Sequence, residues 1–350
     1  MDFGVGIPTA VDSWKLAKRA ETLGFSHAWL YDTQMLCADV FVGLALAAAN
    51  TSRIHLGSGV LVPSNRIAPV TANAVASLNR LAPGRIELGV GTGFTARATM
   101  GLRAMRLADL REHVRVVRAL LAGETVDAEL EGVRRTLRFL EPERGLIDLQ
   151  PRVPIHVSAF GPKARALVAE VADGWMHFVG RLRSGLRDLG EMLAACRDRG
   201  RAPESLYKTA FTMGCVLRDG EPADSARARA QAGPLAVTFF HAAVEGSLRI
   251  RIPSNLAAAV DEYRTLYESY EPADARYLHL HRGHFMWLRP EEERFVTADL
   301  LRDLTFTATA PELRDRIRAL RDAGYQQLAV CLTPGQDEAL DDWARVIESV

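Results

Sequence analysis

The chain has 350 residues, and its 43 Lys and Arg balance its 43 Asp and Glu, so it lacks the basic footprint of a nucleic-acid binder. Hydrophobic residues make up 48% of it, enough for a sizeable core, and the length suits one large α/β barrel or two ordinary domains. No apolar run is long enough to span a bilayer, no basic segment followed by an apolar one opens the chain, and the four cysteines form no C-x-x-C pair, so a cytoplasmic protein with reduced thiols and no membrane partner is expected.

In chain order, residues 2–8 (D-F-G-V-G-I-P) read as a strand, and Asp12 or Ser13 can cap a helix that stops at Gly24. Residues 27–32 (H-A-W-L-Y-D) form a second strand that ends in a carboxylate. An alanine-rich helix follows over 39–50. Strands over 54–62 and 86–90 flank an amphipathic helix over 69–81, the minimal unit of a parallel sheet. Both strands are glycine-rich near their ends, G-S-G at 57–59 and G-V-G-T-G at 89–93, and glycine lets backbone approach a flat ligand closely. A helix over 107–121 completes four β/α units.

Residues 123–152 break this rhythm and read as a hairpin-like excursion. Strand five is placed at 154–159, with Phe160-Gly161-Pro162 leading into a helix over 163–171. Strand six is placed at 174–179, a helix at 185–197, strand seven at 207–217 and strand eight at 327–332, between helices over 311–323 and 337–347. A long insertion over 221–309 carries helical runs at 223–232, 234–243, 255–270 and 277–288, with no separate sheet apparent. Eight β/α units favour a closed (β/α)8 TIM barrel over an open sheet, taken as a single domain over 1–350 with insertions at 123–152 and 221–309. Function then belongs at the carboxyl ends of the strands.

That rule selects Ile7 and Pro8 from strand one, Asp32 and Thr33 from strand two, Gly59 and Val60 from strand three, and Thr92, Gly93 and Phe94 from strand four. It adds Ser158, Ala159, Phe160 and Gly161 from strand five and His177 from strand six. Apolar and small groups with one acid suit a large flat cofactor better than a charged metal site. The histidines in His279-x-His281-x-x-His284 read as ordinary surface or pocket residues of a polar loop, so no metal is assigned. The strand ends hold no lysine of the kind a Schiff-base aldolase needs.

Several segments together resemble the bacterial-luciferase-like flavin and deazaflavin oxidoreductases, the group that includes methylenetetrahydromethanopterin-reductase-like proteins. They are A-E-T-L-G-F-S-H-A-W-L-Y-D (20–32), T-S-R-I-H-L-G-S-G-V-L-V-P (51–63), L-A-P-G-R-I-E-L-G-V-G-T-G (81–93), R-E-H-V-R-V-V-R-A-L-L-A-G-E (111–124), P-I-H-V-S-A-F-G-P-K (154–163) and A-D-G-W (172–175). The resemblance implies a (β/α)8 barrel with insertions. It implies cofactor phosphates near Ser158, Ala159, Phe160 and Gly161, where free amides and a helix dipole favour anions. It implies a cofactor ring across strands three and four, a non-proline cis peptide at Gly59–Val60, and hydrogen bonds between the polar parts of the cofactor and Asp32 and Thr92. A plain strand-to-helix turn at 158–162 and a helix cap at Asp32 are the structural alternatives.

The departures narrow the chemistry. Similar sugar-phosphate dehydrogenases carry a glutamate where this chain has Phe94 and a histidine where it has Thr33, so a sugar phosphate is not expected. His177 is then the best-placed proton donor, with a packed core histidine as its alternative. The cofactor implied is F420, with hydride transfer to or from a small-molecule substrate; FMN, with reduced flavin activating oxygen, is the alternative. Reduced flavin or F420 would come from a partner reductase. A cofactor-less binding protein on the same fold is a third reading. A homodimer through the helices at 39–50 and 69–81 is expected, from their small apolar residues. Phe239, Phe240, His241, His281, His284, Phe285 and Trp287 would roof the mouth beside Phe94 and favour a largely apolar substrate, with Arg97, Arg249, Arg251 and Arg282 as candidate anion contacts.

Overall fold

Runs of apolar and β-branched residues with no polar alternation make strands that are buried on both faces, as a parallel sheet requires. The computed structural model describes residues 1–246 and 252–350, so Arg249 and Arg251 lie outside the described residues. Eight strands close into a parallel barrel: β1 (Asp2–Ile7), β2 (His27–Leu30), β3 (His55–Ser58), β4 (Ile86–Val90), β5 (Ile155–Ser158), β6 (Gly174–Phe178), β7 (Tyr207–Thr212) and β8 (Gln327–Cys331). Each pairs with its neighbours in chain order, and β8 closes on β1. Helices cover the outside, where Leu30, Leu56, Leu88, Val157 and Trp175 join the main core.

The strand and helix order matches the expectation, with local differences. The third strand is shorter than 54–62, because the chain turns at a cis Gly59–Val60 peptide and only Leu61 bridges on to Val90. The expected strand seven over 207–217 divides into β7 and a two-residue strand, Val216–Leu217, which pairs with Ala308–Thr309 at the base of the insertion. Gly214 permits this division: a Cβ there would lie 2.1 Å from the Phe306 carbonyl oxygen. The excursion over 123–152 contains the antiparallel strands Val126–Leu130 and Val133–Leu137.

The segment between β7 and β8 forms a helical roof over the carboxyl end of the barrel. Its helices include Ala226–Ala236, Thr238–Glu245, Ala257–Glu268 and Ala298–Leu304, around a core of Phe240, Tyr263, Leu280 and Phe295. The first of these runs through Pro234 rather than stopping before it. Proline has no N–H to give the Ala230 carbonyl, and the Thr333 hydroxyl beyond β8 donates to that carbonyl instead, at 3.0 Å. The run expected over 277–288 is helical only at Tyr277–Leu280; beyond it Gly283 and Phe285 take positive φ and the chain turns back. Leu235 and Phe285 of the roof pack into the barrel's own cluster of Trp29, Met176, Phe211 and Met213.

At the opposite, amino end the barrel interior holds one carboxylate. Glu87 lies 3.1 Å from His27 Nε2, 3.0 Å from His55 Nδ1 and 2.9 Å from His156 Nε2. Burial alone would raise the Glu87 carboxyl, but the three imidazoles hold it well below the usual range, and its hydrogen bond raises His55. A depressed carboxyl stabilises the fold above the ordinary carboxylate pKa and loses that contribution as pH falls through its own value. A raised histidine contributes below the ordinary imidazole pKa and is lost as pH rises through its own. Stability should therefore decline on both sides of a plateau that spans weakly acidic to neutral pH. Glu87→Ala, which leaves three imidazoles without their acceptor, is expected to cost about 3 kcal/mol in urea unfolding. It should also flatten the acid limb of the stability–pH curve, and an unchanged curve would show that the cluster carries no such energy.

Candidate active site

The carboxyl ends of the strands bring together what the barrel rule selected, and the lining there is apolar. Tyr31, Val60, Phe178, Phe211, Met213, Cys331 and Phe285 form one continuous layer between barrel and roof. Burial raises the Tyr31 hydroxyl well above its ordinary pKa, so it stays protonated.

Asp32 is the one strand-end acid, and its carboxylate is engaged within the chain. It accepts from the Val62 N–H at 2.9 Å and from Asn65 Nδ2 at 3.4 Å, and lies 3.6 Å from the Arg66 guanidinium. Burial raises its pKa, opposed by the Val62 bond and by Arg66. It caps no helix: the cap of Val40–Asn50 is Asp39, which accepts from the N–H groups of Phe41 and Val42 and also binds Arg66. Asp32 thus fixes the segment that follows the cis Gly59–Val60 peptide.

That segment lies beside the end of β4. Gly93 has φ 77°, and a Cβ on it would lie 2.5 Å from Val62 Cγ1, so only glycine fits there. Thr92 is half-buried, and its carbonyl accepts from the Met105 N–H at 2.9 Å. Phe94 begins a short helix, Phe94–Ala98, and meets His284 of the roof edge-on at 6.2 Å between centroids. Arg97 is tied to Ser64 and to the Arg103 carbonyl, and Arg282 is exposed.

At the end of β5, Ala159 is buried and its carbonyl accepts from Trp175 Nε1 at 2.9 Å, while Ser158 is half-buried. Phe160 and Gly161 are exposed where the helix Pro162–Val171 begins, and no atom lies within 4 Å of where a Cβ on Gly161 would sit. The first amides of that helix have no carbonyl partner within it.

His177 is placed differently from its expected role. Met176 and Phe178 point into the barrel, so His177 between them points out to the helix layer. There it stacks on Trp175 at 4.7 Å and pairs through Nε2 with Asp188 at 3.1 Å. This is the packed-histidine alternative, and it puts the ring on the wrong face of β6 to meet a substrate inside the barrel.

The roof histidines also differ from expectation. His281 and His284 are buried, at 1% and 3% exposure, rather than lying in a polar loop. Both meet His241, which lies outside the H-x-H-x-x-H pattern but within the set expected to roof the mouth. His241 leads into a second buried network, in which Glu292 accepts from His241, Tyr263 and Arg289. Burial would raise the Glu292 carboxyl, but the bonds from His241 and Arg289 hold it down at about 2. His279 lies outside this cluster and stacks on Tyr270. Trp287 is half exposed, and Phe240 belongs to the roof's own core. Arg66, Arg289 and Glu292 carried no sequence motif.

The sequence profile described as "Luciferase-like monooxygenase" matches residues 6–327. The chain belongs to this family. It is 30% identical over 231 residues to a 5,10-methylenetetrahydromethanopterin reductase from Methanolobus tindarius, an alignment covering 65% of this chain and 69% of that one. It is 38% identical over 148 residues to an F420-dependent glucose-6-phosphate dehydrogenase from Beutenbergia cavernae, covering 40% of this chain and 42% of the relative. In structure it is similar to the coenzyme F420-dependent tetrahydromethanopterin reductase of Methanopyrus kandleri, with a TM-score of 0.72, 20% identity and coverage of 98% and 97% of the two chains. At that identity the likeness speaks to the luciferase-like fold alone. Among the described residues, no helix is long and apolar enough to cross a membrane.

The role assigned to Asp32 gives a direct test. Asp32→Ala leaves the buried Val62 N–H without its acceptor and is expected to cost about 1–3 kcal/mol in urea unfolding. Asp32→Asn keeps an acceptor oxygen and should cost less. Equal losses would mean that the bond to Val62 does not hold this segment.

Proposed function

We propose that the protein transfers a hydride between F420 and a small, largely apolar organic substrate held between the barrel mouth and the roof. The observation that carries this reading is the apolar layer of Tyr31, Val60, Phe178, Phe211 and Phe285, beside which the only strand-end carboxylate is already engaged by Val62, Asn65 and Arg66. Among the described residues of that layer a sugar phosphate would meet no free carboxylate or cation. An apolar substrate with one or two polar handles fits it. The relative from Beutenbergia, named as an F420-dependent glucose-6-phosphate dehydrogenase, supports the same cofactor.

The residues present fit F420. The open space at Gly161 and the free amides beginning Pro162–Val171 suit a phosphate, so Ser158, Ala159, Phe160 and Gly161 would hold the cofactor tail. Gly59, Val60, Thr92 and Gly93 would lie along the ring. Asp32 contributes by holding the chain that follows Val60. When bound, F420 supplies the hydride donor or acceptor. The chain's own part is to orient that ring, and Phe94, Phe178 and Phe285 exclude water around the substrate. A separate reductase would restore reduced cofactor when the reaction consumes it.

Titration of the apo-protein with F420 and with FMN, side by side, tests the reading. F420 is expected to bind with quenching of its fluorescence and FMN to bind more weakly. Gly161 has φ −91°, which any residue adopts, so Gly161→Glu should leave the fold intact. By placing a negative charge at the helix N-terminus it should weaken F420 binding about tenfold or more. Tighter binding of FMN would transfer the reading to a reduced-flavin monooxygenase, and binding of neither would favour a cofactor-less protein.

The same helices that carry the mouth loops expose an apolar face. Val42 at 48%, Ile67 at 56%, Val70 at 50% and Leu81 at 48% exposure lie on or beside Val40–Asn50 and Ala68–Leu81. A second copy of the chain is the proposed cover. Light scattering should give a dimer at micromolar concentration and a monomer for Val42→Glu combined with Val70→Glu; a monomeric parent protein would rule the dimer out.

A further inference from the structure

Three imidazoles converge in the roof, and their hydrogen bonds leave too few protons among them. His241 sits on the helix Thr238–Glu245, while His281 and His284 sit on the turn that follows Tyr277–Leu280. His284 Nδ1 lies 3.2 Å from His241 Nδ1 and 3.0 Å from His281 Nδ1. One nitrogen from each of the three rings falls within 4.8 Å of the other two.

The outer nitrogens fix the tautomers. His241 Nε2 faces Glu292 Oε1 at 2.7 Å, and His281 Nε2 faces Glu245 Oε1 at 2.6 Å. A carboxylate accepts, so both Nε2 atoms carry the proton and both Nδ1 atoms present a lone pair inward. His284 lies between them and can place one proton on Nδ1, which satisfies one of the two lone pairs. Its own Nε2 has no partner among the described residues. Any arrangement of protons on neutral rings therefore leaves a buried lone pair with nothing to accept, a costly state.

A cation at the centre removes the conflict. Nitrogens bound to one tetrahedral zinc at about 2.0–2.1 Å lie about 3.3 Å apart, close to the 3.2 Å and 3.0 Å that separate His284 Nδ1 from the other two rings. A carboxylate on the far nitrogen of a metal-bound imidazole is the usual support, since it fixes the tautomer and raises ligand basicity. Two of the three rings already have that support. The amino-end cluster differs: there a nitrogen of each of His27, His55 and His156 lies within 3.1 Å of Glu87, so the carboxylate occupies the centre.

We propose that His241, His281 and His284 bind a divalent first-row transition metal of zinc's preferences through their Nδ1 atoms, with Glu292 and Glu245 orienting the first two rings. Three neutral imidazoles with no carboxylate ligand suit zinc and its neighbours rather than magnesium or calcium. Three protein ligands leave a fourth position, for water or a ligand oxygen. The metal clamps the turn at 281–287 onto the helix Thr238–Glu245. Phe94 meets His284 at 6.2 Å, and Phe285, next along the chain, packs on Phe178 at 5.5 Å, so the clamp fixes the side of the roof that faces the barrel mouth. The site is independent of the cofactor reading.

Co2+ reports the site without turnover. The full chain, stripped with EDTA and titrated with Co2+, is expected to take up one equivalent, develop the visible bands of a four-coordinate ion and melt at a higher temperature with metal than without. Zn2+ should displace the colour. His284→Gln is expected to abolish the bands, and Glu245→Gln to weaken Co2+ affinity about 10–100-fold. His279→Gln, on an exposed neighbour, should leave binding unchanged. Absence of the bands in the parent protein, or equal Co2+ affinity in His284→Gln, overturns the proposal. If His284→Gln does not fold, X-ray absorption on the Co2+-loaded parent decides: three imidazole nitrogens at about 2.0 Å support the site, and any other ligand set overturns it.

Discussion

Trp29 sets the geometry of the barrel interior. Its indole lies across the inside of the sheet, hydrogen-bonded through Nε1 to Gln327 Oε1 at 2.9 Å, and β3 passes beside it only because residue 57 is glycine. A Cβ at Gly57 would lie 2.4 Å from the Trp29 ring, and one at Gly59 would lie 2.9 Å from Trp29 Cβ. Met176 does the same against β4, where a Cβ at Gly89 would lie 2.7 Å from its sulfur. A barrel of this type is filled by bulky side chains from alternate strands. Here two large residues from β2 and β6 fill the space that β3 and β4 leave. With no side chain inside at Gly57, Gly59 and Gly89, the backbone of those two strands forms one wall of the mouth.

The interior is layered by polarity along the barrel axis. At the amino end the Glu87 carboxylate is ringed by imidazoles, and in the roof Glu292 is held by Arg289, Tyr263 and His241. Between the two lies the apolar layer of Tyr31, Phe178, Phe211 and Phe285. A charge taken into such a layer loses its hydration with no partner to replace it. Each buried carboxylate is therefore closed off by its own donors, and the space between is left to groups that need none.

Much of the barrel could be read from the sequence because its strands are short apolar runs bounded by Gly, Pro and caps. The same property hid which way side chains point. A strand buried on both faces shows no alternation, so G-W-M-H-F does not reveal that Met176 faces inward and His177 outward. In the folded barrel Met176 packs inside against Gly89, which turns His177 to the helices. The roof was legible as helical but not in its polar connections. His241 and His284 are 43 residues apart and Glu292 is 51 from His241. No helical or strand period joins such positions, and only the packing of Phe240, Tyr263 and Phe295 brings them together.

Asp32 links these layers to the outside of the molecule. Through Val62 it holds the chain beyond the cis Gly59–Val60 peptide, and it shares Arg66 with Asp39, the cap of Val40–Asn50. The Arg66 guanidinium lies over the Phe41 ring at 5.0 Å, within the first turn of that helix. One arginine thus spans the mouth loop, a helix cap and the beginning of the exposed apolar face around Val42. Packing against that face bears on Phe41 and Arg66, and a shift of Arg66 changes the charge that balances Asp32. Burial raises the Asp32 carboxyl, and the Val62 N–H and Arg66 oppose that rise. Asp32, for which the family resemblance implied a hydrogen bond to the cofactor, is in this structure the post between the outer helices and the wall of the mouth.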